Sequence, residues 1–155
     1  MSEKKLKEKF ADAMEWWEVN SDSRRILALL EPLFDKAGYD IMESPQKGSD
    51  CTAIEVSCHY LAPDCPHDSG DAAMYLADLL GEDFEDIQIA YKDRMWTVAC
   101  FRGEGIGDGP TAQHGVLGIA LLECLFLHYS LTERKPKLFL VEDGQSGIGF
   151  EDGLD

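Results

Sequence analysis

Cysteine, histidine and clustered carboxylates are the side chains here that could do chemistry, and their spacing decides which kind. Cys58, His59, Cys65 and His67 crowd one short stretch, with Cys51 close before it. Zinc takes Cys and His in a tetrahedron, so a Cys-x6-Cys-x-His run folded around a turn can gather ligands. The spacing matches no standard zinc knuckle, and no Cys-x2-Cys pair accompanies it. Cys58 also falls in step with Ile54 and Val56, which predicts it on the inner face of a strand as a small hydrophobe. No metal is therefore expected, with Cys58, Cys65 and His67 the weak candidates. Nucleophilic catalysis needs a nucleophile held beside a base. His114 in the first turn of a central helix and His128 near its end lie in no nucleophile elbow or cysteine-protease context. The expectation is a non-enzyme without a cofactor.

The run from Phe101 to Pro110, FRGEGIGDGP, reads as a glycine loop between a strand and a helix, the arrangement that cradles phosphate. Glu104 and Asp108 stand where the anion would sit, and no Lys-Ser or Lys-Thr follows. A connecting loop is the better expectation.

The carboxylates are the outlier. Thirty Asp and Glu against fourteen Lys and Arg give a net charge of −16. Such a field repels nucleic acid and anionic membrane and attracts basic surfaces. Glu82, Asp83, Glu85 and Asp86 form one cluster; Asp68 with Asp71, Glu104 with Asp108, and the tail acids Glu142, Asp143, Glu151 and Asp152 add others. Their irregular spacing does not suit an EF-hand. Carboxylates in number can imitate the charge rhythm of a nucleic-acid backbone and occupy a basic groove. Trp16, Tyr60 and Tyr91 would serve as anchors in such a contact, while Trp17 suits the core. The plainer role for the same charge is a solubilising coat. Lys4, Lys5, Lys7 and Lys9 make the one basic patch, which could dock on the acidic body of a second copy, so a homodimer is possible.

The elements that must position these groups follow from periodicity. Leu6, Phe10, Met14 and Trp17 predict a helix over 3–19, and Ile26, Leu27, Leu30, Leu33 and Phe34 another over about 23–36, with Pro32 a blemish and Gly38 the stop. Residues 39–42 and 52–59 read as strands, 69–80 as a helix ended by Gly81. Ile87, Ile89 and Tyr91, a turn at Lys92-Asp93-Arg94, and 95–101 make the clearest hairpin. Pro110 to Tyr129, apolar throughout from Val116 to Leu127 except Glu123, predicts a central packing helix capped at Pro110 or Thr111. Residues 138–141 suit a last strand, and the acidic, glycine-rich run 142–155 a loose tail beyond a single domain over 1–141. The expected class is α+β: an antiparallel or mixed β-sheet packed by helices. The start, MSEKKLKEKF, has no apolar signal-peptide core, and the odd count of five cysteines suits reduced thiols, so a cytosolic protein is expected.

Two stretches together carry a resemblance. Trp16-Trp17, then SRRILALLE from Ser23 and Gly38-Tyr39, form one; RMWTVACF from Arg94, the glycine loop, Pro110-Thr111-Ala112 and the apolar helix through LLECL form the other. In this order they resemble the phage ABA sandwich domain family of small phage and prophage proteins. The resemblance spans about half the chain, with residues 44–85 elaborated relative to the family pattern, and it implies a fold and an origin without an active site to carry over. With the acidic balance, it points to a phage or mobile-element protein that inhibits a host nucleic-acid-binding defence complex, as an anti-CRISPR or anti-restriction protein does. Its expected partner is the basic surface of a host protein or ribonucleoprotein, with no direct nucleic acid or membrane contact. Two alternatives use other features: a metal- or small-ligand-binding regulator, and an immunity-like protein neutralising a basic toxin.

Overall fold

The computed structural model describes residues 2–45, 52–63, 69–102 and 108–132. Within them the chain is α+β, with four helices and two antiparallel three-stranded sheets. The order is α1 (Glu3–Asn20), α2 (Arg24–Ala37), β1 (Ile41–Pro45), β2 (Thr52–Val56), β3 (His59–Leu61), α3 (Gly70–Gly81), β4 (Asp86–Lys92), β5 (Met95–Phe101), β6 (Asp108–His114) and α4 (Leu117–Thr132). Each sheet is a meander, β1-β2-β3 and β4-β5-β6.

The first three helices form where the periodicity places them. Leu6, Phe10, Met14 and Trp17 are buried in α1, and Ile26, Leu30 and Phe34 in α2. Pro32 stays inside α2 as one continuous helix. Gly38 ends it at φ 91°, and its N–H donates to the Asp35 and Phe34 carbonyls. No helix among the described residues is long and apolar enough to cross a membrane.

The central helix corrects the sequence expectation at its start. Pro110 and Thr111 cap nothing; with Ala112 to His114 they lie in β6, paired to β5 through Ala99↔Thr111, Val98↔Ala112 and Trp96↔His114. The helix itself begins at Leu117. Its centrality holds: residues 118–122 and 124–129 are buried. A helix apolar on every side needs neighbours on every side; α4 touches β5 and β6 on one flank and α1, α2 and α3 on the others. Cys124 shows the fit, its Sγ 3.9 Å from the carbonyls of both Val98 and Pro110. Gly118 gives the closest approach: a Cβ there would stand 2.5 Å from Leu61 Cδ1 of β3.

One expected strand is two. Val56 pairs with His59, so Ser57 and Cys58 form a tight hairpin turn at φ 48° and 74°. Cys58 is therefore exposed at a turn and does not continue the inner face of Ile54 and Val56. The second hairpin closes in the same way, with Lys92 paired to Met95 and the turn narrowed to Asp93 and Arg94, at φ 53° and 65°. The expected strand 138–141 and tail 142–155 lie outside the described residues.

Candidate binding surface

Three helices end at the same place. Phe34, in the last turns of α2, meets Tyr129 of α4 edge-on at 5.5 Å between ring centroids. Asp83, just past α3, accepts a hydrogen bond from His128 Nε2 of α4 at 3.0 Å, and Phe84 stands edge-on to the same imidazole at 4.8 Å. Tyr39, just past α2, donates its hydroxyl to Glu82 Oε1 at 3.3 Å. Each helix C-terminus carries a partial negative charge of about half an elementary charge. Onto that shared end the sequence adds Asp35, Asp40, Glu82, Glu85 and Asp86, all exposed, and the half-buried Asp83. Among the described residues of these elements, the cations at this end are Lys36 and Arg102, and Arg102 lies over the Phe84 ring at 5.2 Å.

The remaining acids divide. Asp71 is exposed in the first turn of α3, at the other end of that helix from Glu82. Asp108 opens β6. Asp68 and Glu104 lie outside the described residues. Thus the 82–86 cluster is drawn into one acidic end by tertiary contacts, whereas Asp71 stands away from it. Asp35 and Asp40 belong to this end, and only the helix packing reveals it; sequence offered no signal beyond their charge.

A second feature leaves no mark in the local sequence pattern. Between α3, α4 and the β4–β5 hairpin lies an apolar cavity of about 410 Å³, walled by Ala73, Met74, Ala77, Ile89, Trp96 and Leu121 among others. It lies where α3 covers β4 only in part. Ile87, Ile89 and Tyr91 point to the same face as the buried Val98 and Cys100, yet Ile89 is 42% and Tyr91 57% exposed, with Met74 of α3 at 71%.

Among the described residues, His114, His59, Cys100 and Cys124 have partners in the fold, whereas Cys58 is a free, exposed thiol. His114 ends β6 instead of opening the helix; its Nδ1 accepts the Val116 N–H at 2.9 Å and its Nε2 stands 3.2 Å from Glu18 Oε2. It caps the approach to α4. His59 stacks on Tyr75 at 4.6 Å, with Nδ1 3.0 Å from the Ser57 carbonyl oxygen. Cys100 and Cys124 are neighbours in the core, where their mutual hydrogen bond and burial push the Cys124 thiol up and keep it protonated. Cys51, Cys65 and His67 fall outside the described residues, and among those described no group of three His, Cys, Asp or Glu is placed to hold a metal ion.

The glycine run also changes meaning. It joins β5 to β6, two strands of one hairpin, so the strand–loop–helix geometry of a phosphate cradle is not formed. Of the anchor candidates, Trp17 is core, Tyr60 and Tyr91 are exposed, and Trp16 is half-buried under the Arg25 guanidinium at 3.6 Å. Comparison with protein-family models, with curated proteins and with solved structures finds no match.

Proposed function

We propose that this chain is a non-enzymatic acidic binding protein whose carboxylate-rich end docks on the basic, nucleic-acid-binding surface of a partner protein. The observation that carries this reading is the gathering of Asp35, Asp40, Glu82, Asp83, Glu85 and Asp86 where α2, α3 and α4 end. Carboxylates beside helix C-termini are unfavourable, each by roughly 0.3–1 kcal/mol. A coat serving only solubility gains nothing from that placement. A docking surface does, because concentrated potential steers a basic partner and suppresses wrong ones. Joined with the phage ABA sandwich resemblance, the reading becomes a cytosolic phage or mobile-element inhibitor of a host nucleic-acid-binding defence complex. An immunity-like protein facing a basic toxin uses the same electrostatics, and partner identity separates the two.

The test is a pull-down to identify the partner, followed by affinity measurements with Asp35, Glu82 and Glu85 changed to Lys. Asp83, which holds His128, and Asp86, which sits in the sheet ladder, are left intact. Affinity is expected to fall roughly tenfold or more in the triple variant, to fall with rising salt, and to be lost to competing nucleic acid. A partner that binds the variant and the parent equally well at every salt concentration removes the proposal.

The cavity beside Trp96 favours a second reading, a small apolar ligand held between α3 and α4. Saturable binding of an apolar naphthylamine probe, lost in Ala77→Phe, is its test.

A further inference from the structure

We propose that β4 is the contact strand of a symmetric homodimer, in which two copies join antiparallel about a two-fold axis through Ile89. The proposal stands apart from the functional reading above and does not depend on it.

Of the outer strands, β4 is the most open: α3 meets only one face of it, and Ile89 and Tyr91 stay exposed. α2 lies against β1, α3 lies against β3, and α1 reaches β6, where Lys7 Nζ donates to the Thr111 carbonyl. An open, apolar edge is a template for another strand. The register of the β4–β5 hairpin states which groups it offers. Lys92 and Met95 flank a two-residue turn and so exchange hydrogen bonds; the alternation commits Asp86, Gln88, Ala90 and Lys92 to β5. The backbone N–H and C=O of Ile87, Ile89 and Tyr91 then point outward.

Pairing Ile89 with its own copy satisfies those groups reciprocally. Ile87 falls opposite the copy's Tyr91, and roughly six N–H···O bonds close across the axis. The same register sets Asp86 opposite the copy's Lys92, twice, at the closely spaced positions of the ladder where side chains meet best. Gln88, whose amide donates to Asp86 at 3.0 Å, falls opposite Ala90. Sliding either way by one step breaks the Asp–Lys match and shortens the overlap. Along the strand and its turn, Asp86, which also belongs to the acidic end, and Asp93 are balanced by Lys92 and Arg94. On the helix side, Ile89, Tyr91 and the exposed Met74 supply the apolar surface that a second copy covers.

The experiment is sedimentation equilibrium of the full chain across the micromolar range, with amide exchange on the same samples. Wild type is expected to reach twice its 17.3 kDa mass, with Ile87, Ile89 and Tyr91 amides protected only as concentration rises. Asp86→Lys and Lys92→Asp should each weaken association by roughly tenfold, since each sets like charges face to face. The double variant Asp86→Lys/Lys92→Asp should recover wild-type association, which also shows that the single variants fold. Three results overturn the proposal: a monomer at every concentration, a dimer indifferent to the three variants, or a monomer whose β4 amides are already protected because residues 133–155 of the same chain lie on the edge.

Discussion

The two sheets share one topology and differ in how their edges are finished. In β1-β2-β3 both outer strands lie against helices: Ser23 Oγ of the α2 cap donates to Glu43 of β1 at 3.0 Å, and Ser69 at the start of α3 holds Ala62 just past β3. In β4-β5-β6 one outer strand is pinned by α1 and the other is met by α3 on one face only, with Ile89 and Tyr91 left exposed. The central strands show little of this, since Ile54 and Val56 of β2 and Val98 and Cys100 of β5 are equally buried. The difference therefore does not arise from strand formation. It arises from how far α3 and α4 reach, and it leaves Ile89 and Tyr91 exposed on one outer strand, in addition to Met42 of β1 and Tyr60 of β3.

The strongest way to break that contrast is at Gly118, where α4 meets the first sheet. Gly118→Val drives a side chain into Leu61, and a loss of about 2–3 kcal/mol is expected in denaturant melts, with β3 amides exchanging faster than those of β5. The two hairpin turns sharpen the comparison from the other side. Both use left-handed conformations at ordinary residues, so Arg94→Gly and Cys58→Gly should each stabilise by about 1 kcal/mol, read from the same melts. Equal gains mean the hairpins contribute alike; a gain at only one means its sheet alone limits unfolding.

A smaller effect is expected at Glu123, which α1 covers on the pinned side. Burial pushes its carboxyl up from 4.5, with Lys7 at 4.0 Å pulling the other way. A folded value above the unfolded one makes the contribution of this group fullest below the unfolded value and lost as pH rises through the folded one. Glu123→Gln should therefore gain on wild type in Tm as pH climbs from the acid range to neutrality, and a constant difference across that range would remove burial as the cause. Least of all, Met74→Gln beside the open edge should alter the stability of dilute protein by no more than about 0.5 kcal/mol, while weakening self-association.

Much of the helical frame was legible beforehand because its signal is local. Phe10, Met14 and Trp17, or Ile26, Leu30 and Phe34, mark a buried stripe within one helix, and the structure buries those same residues. The failures have local causes too. Pro110-Thr111 imitates a helix start, but pairing with Ala99 and Val98 of a strand already in place makes it β6. Ser57-Cys58 carries none of the Gly or Asn that announces a tight reversal, so the alternation predicts Cys58 in the core while the turn places it outside. Of the candidate surface, the 82–86 run was visible as charge, whereas Asp35 and Asp40 join it only through the Tyr39–Glu82 and Phe34–Tyr129 contacts.

By itself, then, the sequence determined the α+β class, the apolar helix that everything packs around, and an excess of negative charge, because composition and periodicity are properties of neighbours along the chain. The tertiary structure alone decided that three helix ends converge under the acids and that Ile89 and Tyr91, patterned like core residues, stay exposed. Those outcomes depend on where separate elements end in space, and no stretch of sequence shorter than the fold contains that information.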